Sequence, residues 1–273
     1  MSSNRFIQEN TVIKHSLCML AAALTSAIVT LHAAVPLEPI RGKCTMSISE
    51  QPGKLRLEIK NETCPNGSHC GFGNSEESAS RFTGISIADL ALEGAHLTAT
   101  LTAEAGVFTC DGIVRDRELT GQSVFTPDSA FVARMEQMGF TGYDSDKLQA
   151  YAFLNVESAW ARSLQQTGIQ GITTDNLLAL RIFNVDPAYV HSITALGYPT
   201  PEADKLIGLA CQGVNAQEVK EIRSLGYQPT LDELVQMRIF KITPDFIHHM
   251  EDRGLKNLTI SKLVQIRIFN LAD

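Results

Sequence analysis

Several features that would point to a function class are missing from this sequence. It contains no block of consecutive Lys and Arg residues, and its formal net charge is −7. Binding to a polyanion needs a basic surface, so DNA and RNA are excluded as partners. The patterns His-Glu-x-x-His, Gly-x-Ser-x-Gly, Gly-x-x-x-x-Gly-Lys-Ser/Thr and Cys-x-x-Cys are absent as well. We therefore predict a protein that is not an enzyme and holds no metal or cofactor.

Long apolar segments are also scarce, and one run of about fifteen residues, 17–31, stands out. It is shorter than the roughly 20 residues that cross a bilayer. Arg5 and Lys14 precede this run, and Ala33 and Ala34 follow it, which is the order of a signal peptide. We predict a signal peptide over residues 1–34 and export to the periplasm or out of the cell. The alternative is an uncleaved segment that anchors the chain to the inner membrane, the one case in which we expect membrane contact.

Four cysteines follow within one stretch of the exported chain: Cys44, Cys64, Cys70 and Cys110. An oxidising compartment favours disulfides, and four cysteines allow three pairings. The short spacing makes a local Cys64–Cys70 loop the simplest one, which leaves Cys44 to pair with Cys110. A zinc site built from Cys64, His69 and Cys70 is the alternative, although a fourth ligand at motif spacing is missing.

Residues 35–126 alternate apolar and polar side chains, as strands with one buried face do. Strands are predicted over residues 55–60, 97–101, 107–114 and 119–125. The last three form an antiparallel meander, because turn residues connect them. Residues 64–80 are rich in Gly, Asn, Ser and Glu and are predicted to form a long exposed loop. The segment as a whole predicts a small antiparallel β domain.

Residues 127–273 repeat a pattern every 28 or 29 residues. The five copies cover residues 128–156, 157–185, 186–214, 215–242 and 243–271. Each copy predicts two short helices, called helix A and helix B below, with an N-cap residue before most of them. A pair of short helices cannot bury its apolar face alone, so the copies must stack. The predicted fold class is α+β with two domains, a β domain followed by an α-solenoid of five two-helix repeats.

The ends of the helices follow from residues that accept a left-handed backbone. Helix A ends at Gly139, Gly168, Gly197, Gly226 and Gly254, and helix B ends at Asn155, Asn184, Gly213 and Asn270. Equivalent positions in successive copies form rows along the stack. Cys211 lies in a helix B row that otherwise holds Phe and Ile, so we predict a buried free thiol there.

Basic residues form two such rows. Helix A carries Arg162, His191, Lys220 and His248, and helix B carries Arg181, Arg238 and Arg267. A basic row can receive an acidic peptide, an anionic glycan or a phosphate headgroup. The alternative, which we favour, is ion pairing with acidic residues of neighbouring copies or with the aspartates in the first turn of helix B. Such surface pairs contribute about 0–1 kcal/mol each. The aspartate row consists of Asp146, Asp175, Asp204 and Asp232.

Two phrases of the repeats carry a resemblance to a known group of proteins. They are Thr-Pro-Asp-Phe-Ile-His-His-Met-Glu-Asp-Arg-Gly-Leu at 243–255 and Leu-Val-Gln-Ile-Arg-Ile-Phe at 263–269. With the strand segments at 105–112 and 124–128, they resemble repeat regions of exported bacterial proteins and of BlaR-type antirepressor metallopeptidases. The resemblance covers residues 80–273 and implies an extracytoplasmic sensing or docking part. The peptidase module of that family has no counterpart here, so the resemblance does not imply proteolysis.

The function predicted from these observations is that of a non-enzymatic, extracytoplasmic interaction or sensing scaffold that binds a protein or peptide. The alternative is a small-molecule or glycan binding module, with the long loop of the β domain as its site. A further expectation is self-association through the fifth copy, because stacked repeats expose apolar surface wherever a neighbour is missing.

Overall fold

The computed structural model describes residues 37–62 and 75–269. The described residues form a seven-stranded antiparallel sheet followed by ten α-helices. The predicted α+β class is confirmed at this level. The described residues belong to one compact unit. None of the helices in the described ranges has the length and hydropathy of a membrane span. The predicted signal peptide lies outside the described residues.

The sheet has the strand order β3-β2-β1-β7-β6-β5-β4. Its strands are β1 Ile40–Ile48, β2 Lys54–Asn61, β3 Ser75–Ser78, β4 Phe82–Thr83, β5 His96–Ala103, β6 Gly106–Arg115 and β7 Glu118–Pro127. Strands β3 and β4 lie at opposite edges, yet only the short 3-10 turn Ala79–Arg81 separates them along the chain. One continuous segment therefore pairs with β2 and with β5, and the sheet must curl for it to reach both edges.

The four strands predicted from alternation are confirmed as β2, β5, β6 and β7, and the last three form the predicted meander. The prediction of a loop over residues 64–80 is wrong for residues 75–80. Ser75–Ser78 pairs with β2 from Leu57↔Ser75 to Lys54↔Ser78, and a 3-10 turn follows. Strand pairing uses backbone groups, so a polar segment at a sheet edge joins the sheet without any apolar alternation.

A disulfide joins Cys44 and Cys110 across the inner face of the sheet, which confirms this pairing. Strand β7 lies between the two bonded strands, and its Gly121 is opposite both Cys44 and Gly112. A Cβ atom at Gly121 would lie 1.9 Å from the carbonyl oxygen of Asp111, so the close strand approach requires glycine there. The disulfide indicates an oxidising, extracytoplasmic environment.

The ten helices fall two to each of the five copies. Helices A are α1 Ser129–Glu136, α3 Ser158–Gln166, α5 Pro187–Thr194, α7 Ala216–Ser224 and α9 Pro244–Asp252. Helices B are α2 Ser145–Phe153, α4 Thr174–Ile182, α6 Ala203–Cys211, α8 Leu231–Ile239 and α10 Ile260–Ile268. Helices B of consecutive copies pack directly on one another from α4 to α10, whereas among helices A the closest such pair is α1 with α3.

The predicted helix boundaries are confirmed by the cap geometry. The Asp186 carboxylate accepts a hydrogen bond of 2.7 Å from the backbone N–H of Tyr189, and Thr173 forms a capping box with Asn176. Each of the five predicted glycines that end helix A has a left-handed φ between +83° and +90°. Asn155 and Asn184 do the same for helix B, whereas Asn270 lies outside the described residues.

Helix α2 connects the sheet to the helices. It packs against β5, β6 and β7, and the ring of Phe153 meets that of Phe108 edge-on at 5.1 Å. The guanidinium of Arg81 donates hydrogen bonds to the carbonyl oxygens of Ala152 (2.9 Å) and Phe153 (2.6 Å). One hydrophobic cluster runs from Ile40 in the sheet into the third copy. The described core is therefore continuous across the predicted boundary at residue 127, and a separable β domain stays a prediction.

Candidate functional site

The helix B arginines have partners inside the stack. Arg181 donates from Nε to the carbonyl oxygen of Leu154 at 3.1 Å, and its guanidinium lies 5.2 Å from the centroid of the Trp160 ring. Leu154 follows the last residue of helix B in the preceding copy, where carbonyl groups lack partners within the helix. Arg181 therefore holds two neighbouring copies together.

Arg238 and Arg267 repeat this arrangement. Arg238 donates to the carbonyl oxygen of Gln212 at 2.8 Å and forms an ion pair with Glu218 at 3.2 Å. Arg267 donates to the carbonyl oxygen of Lys241 at 3.4 Å. All three arginines bridge neighbouring copies, although Arg238 and Arg267 are themselves exposed. The bonds that bridge the copies go to backbone carbonyl oxygens and not to the acidic side chains that the sequence predicted. In the sequence, each arginine lies 26 or 27 residues after its acceptor, close to one repeat period, and this spacing could have indicated that the arginines bridge neighbouring copies.

The aspartate row also links neighbouring copies. The ammonium of Lys147 lies 2.7 Å from the carboxylate of Asp175, and Lys205 forms an ion pair with Asp232. Between them, the Asn176 amide donates to Asp204 at 3.3 Å. The lysines immediately after two aspartates of the row, rather than the basic rows themselves, make these contacts. The aspartates remain open to solvent, since the side chain of Asp175 is 84% exposed and that of Asp232 is 74% exposed.

The helix A row differs from the helix B arginines because its side chains in the second, third and fourth copies have no partners. Arg162, His191 and Lys220 are exposed, and none of their side chains has an ion-pair or hydrogen-bond partner among residues 37–62 and 75–269. His248 of the fifth copy is different, because its Nδ1 lies 3.5 Å from the carboxylate of Glu251. The first copy has Ala133 at the equivalent position.

Small residues surround these basic side chains. One turn before Arg162 and His191, the same exposed line of helix A carries Ala159 and Ala188. The corresponding residue in the fourth copy is Gln217, which donates to Glu221 on its own helix. A carboxylate brought to this face would meet charged donors without displacing an existing ion pair.

A shallow pocket of about 430 Å³ lies on the sheet, beside β5, β6 and β7. The carboxylate of Asp111 lines it and is bonded already to His96 (3.3 Å) and to the hydroxyl of Thr98. The loop predicted to form a small-molecule site falls largely in residues 63–74, outside the described ranges, so that site stays a prediction. Asp111 has two partners within the sheet, whereas the side chains of Arg162, His191 and Lys220 have none among the described residues.

The remaining cysteines divide into two cases. Cys64 and Cys70 lie outside the described residues, as does His69 of the alternative zinc site. The prediction that Cys211 is buried is wrong, because this free thiol is exposed. Its row is covered only in the first copy, where Phe153 meets the sheet, whereas Ile182 of the second copy is 53% exposed. No cluster of metal-ligating side chains occurs within the described ranges.

The shifted pKa values belong to packed side chains away from the helix A row. Burial raises the pKa of the Tyr143 and Tyr189 hydroxyls to about 12. Burial also raises the pKa of Tyr151, whose hydroxyl donates to the carbonyl oxygen of Thr174 at 2.6 Å. These tyrosines support contacts within and between copies, for example the hydrogen bond from Tyr189 to Val214 at 3.0 Å.

No protein-family model, curated protein or solved structure matches this chain. The resemblance to the repeat regions of BlaR-type proteins therefore stays a prediction. The candidate site consists of the exposed basic row on helices A. On helices B, the arginines donate to backbone carbonyl oxygens, and the aspartates have lysine or asparagine partners.

Proposed function

We propose that this chain is an exported, non-enzymatic interaction scaffold whose five repeats form an α-solenoid. In this proposal, the surface of helices A binds an acidic segment of a protein partner. One observation carries it: Arg162, His191 and Lys220 are exposed at equivalent positions of three consecutive copies and lack partners among the described residues. The disulfide between Cys44 and Cys110 supports an extracytoplasmic place of action.

The spacing of the row suits an extended segment. Packed helices lie about 8–10 Å apart, and helices A of adjacent copies pack less closely than helices B, so we expect about 10 Å between equivalent side chains of the row. An extended chain advances about 3.3 Å per residue, so carboxylates at every third residue match that distance. Each exposed ion pair contributes about 0.2–1 kcal/mol, so the pairs formed by Arg162 and Lys220 support weak, salt-sensitive binding.

The test measures binding of a peptide of about twelve residues with Glu at every third position. A peptide of the same composition with its glutamates clustered at one end is the peptide control. We expect the triple variant R162A/H191A/K220A to bind the spaced peptide roughly tenfold more weakly by fluorescence anisotropy at low salt.

The matched protein control is R41A/K43A/K256A, which removes three exposed basic residues elsewhere. This control should retain binding to the spaced peptide. Equal affinity of the wild type, the triple variant and the control variant would overturn the proposal, as would an equal preference for both peptides.

A further inference from the structure

The basic row and the aspartate row overlap in three copies. Both rows are exposed in the second, third and fourth copies, with Arg162, His191 and Lys220 on helices A and Asp175, Asp204 and Asp232 on helices B. The first copy has Asp146 but no basic residue in the helix A row, and the fifth has His248 but no aspartate in the helix B row. Basic and acidic side chains therefore recur with the same repeat period on helices A and helices B.

The face of helices B that carries the aspartates is also apolar. Ile182 lies seven residues after Asp175, and Ile239 lies seven residues after Asp232, so each pair shares one helix face. Ile182 is 53% exposed and Ile239 is 52% exposed. In the first copy, the equivalent Phe153 is only 2% exposed because the sheet covers it. This face is thus continuous with an interface inside the chain, and rows of exposed isoleucine are typical of contact surfaces.

Helices B of adjacent copies pack more closely than helices A do. On helices A, the small side chains of Ala159 and Ala188 beside the basic row leave room for a close approach.

We infer that a second copy of this chain is an occupant of the helix A surface and docks there with the aspartate-bearing face of its helices B. The basic row then lies opposite the partner's aspartate row, and the exposed isoleucines on the same face of helices B extend the contact. This inference rests on the basic row of the proposed function and names its partner. The two docking surfaces differ, so the contact is heterologous and continues from copy to copy as an open chain of molecules.

The test is a charge-exchange experiment on the whole chain by sedimentation velocity. Wild type should sediment faster as concentration rises. The variants R162E/H191E/K220E and D175K/D204K/D232K should each stay monomeric, because both of their faces then carry the same sign. Mixing the two variants should restore association, because each contact between one variant and the other joins an acidic face to a basic face.

The aspartates also bond Lys147, Asn176 and Lys205, so their reversal threatens folding. A second variant, I182S/I239S, keeps those bonds and should weaken association roughly tenfold, with an unchanged circular dichroism spectrum. L92S is its control, because Leu92 is 55% exposed on the sheet side of the chain. Wild type that is monomeric at every concentration overturns the inference, as does I182S/I239S that associates as wild type does.

The acidic peptide separates this inference from the proposed function. Peptide binding by I182S/I239S at wild-type affinity, with association lost, supports both. If the wild type binds the peptide but does not associate with itself, only the inference is overturned. If the protein binds no peptide, but its association depends on Ile182 and Ile239 and is restored by mixing the variants, only the proposed acidic-segment function is overturned.

Discussion

Four described residues end helix B in a left-handed backbone conformation, and one of them is unsuited to it. Asn155, Asn184 and Gly213 have φ values of +52°, +54° and +69°. In the fourth copy this position is held by Lys241 with φ +54°. Asparagine and glycine adopt this region at low cost, whereas a lysine side chain is crowded by its own carbonyl oxygen, at a cost of about 1 kcal/mol.

Replacing Lys241 by the residue found in other copies should therefore stabilise the protein. We expect Lys241→Asn to raise the free energy of unfolding by roughly 0.5–1 kcal/mol in urea denaturation. Lys256→Asn, at an exposed position with no positive φ, should leave the midpoint unchanged. A lowered midpoint for Lys241→Asn would show that the lysine side chain makes a contact worth more than the backbone relief.

At the scale of secondary-structure elements, the junctions between copies are not equivalent. Arg181, Arg238 and Arg267 each donate to a carbonyl oxygen at the end of the preceding helix B. The third copy has Ala210 at this position, so the junction between α4 and α6 lacks the arginine bond. Leu177 of α4 and Leu206 of α6 belong to one hydrophobic cluster, so apolar packing is retained at this junction and the difference is the missing arginine bond.

An arginine introduced at this junction should strengthen it. Ala210→Arg places a guanidinium within reach of the carbonyl groups that end α4 and beside the Tyr189 ring, as Arg181 lies over Trp160. We expect a gain of about 1 kcal/mol in the free energy of unfolding. Ala210→Met, which adds similar length without a donor, is the control, and an equal effect of both variants would refute the hydrogen-bond explanation.

At the scale of the whole molecule, the disulfide constrains a segment that contributes to a core shared with the helices. Cys44 and Cys110 are separated by 66 positions, and a crosslink over such a loop stabilises a protein by about 4 kcal/mol through the entropy of the unfolded chain. Because one hydrophobic cluster contains both Cys110 and Leu177 of α4, losing the crosslink should also affect the helices.

We therefore expect Cys44→Ala/Cys110→Ala to lower the melting temperature of the helical circular dichroism signal together with that of the sheet. Cys211→Ser, which alters the exposed free thiol, should melt as wild type does. Unchanged melting of the helices in the double variant would instead support a β domain that folds separately from the repeats.

Local chemistry alone was enough to predict the repeat unit. Asp186 and Thr173 begin helices because their side chains bond the free N–H groups of the first turn, and Gly197 ends one because glycine accepts positive φ. These effects act between residues close in sequence. Ten helices and four strands were thus predicted, whereas β1, β3 and β4 were not. The polar residues of β3, for example, join the sheet only by pairing with β2.

What covers each helix face was decided by the tertiary structure. Phe153, Ile182 and Cys211 occupy one row and look alike as a pattern, yet the sheet buries the first and leaves the others exposed. The two basic rows likewise differ only in the folded structure. Arg181 donates to a carbonyl oxygen 27 residues away, whereas the side chain of Arg162 has no partner among the described residues. Periodicity tells which side chains share a face, but burial and bonding depend on the elements that long-range folding brings against it.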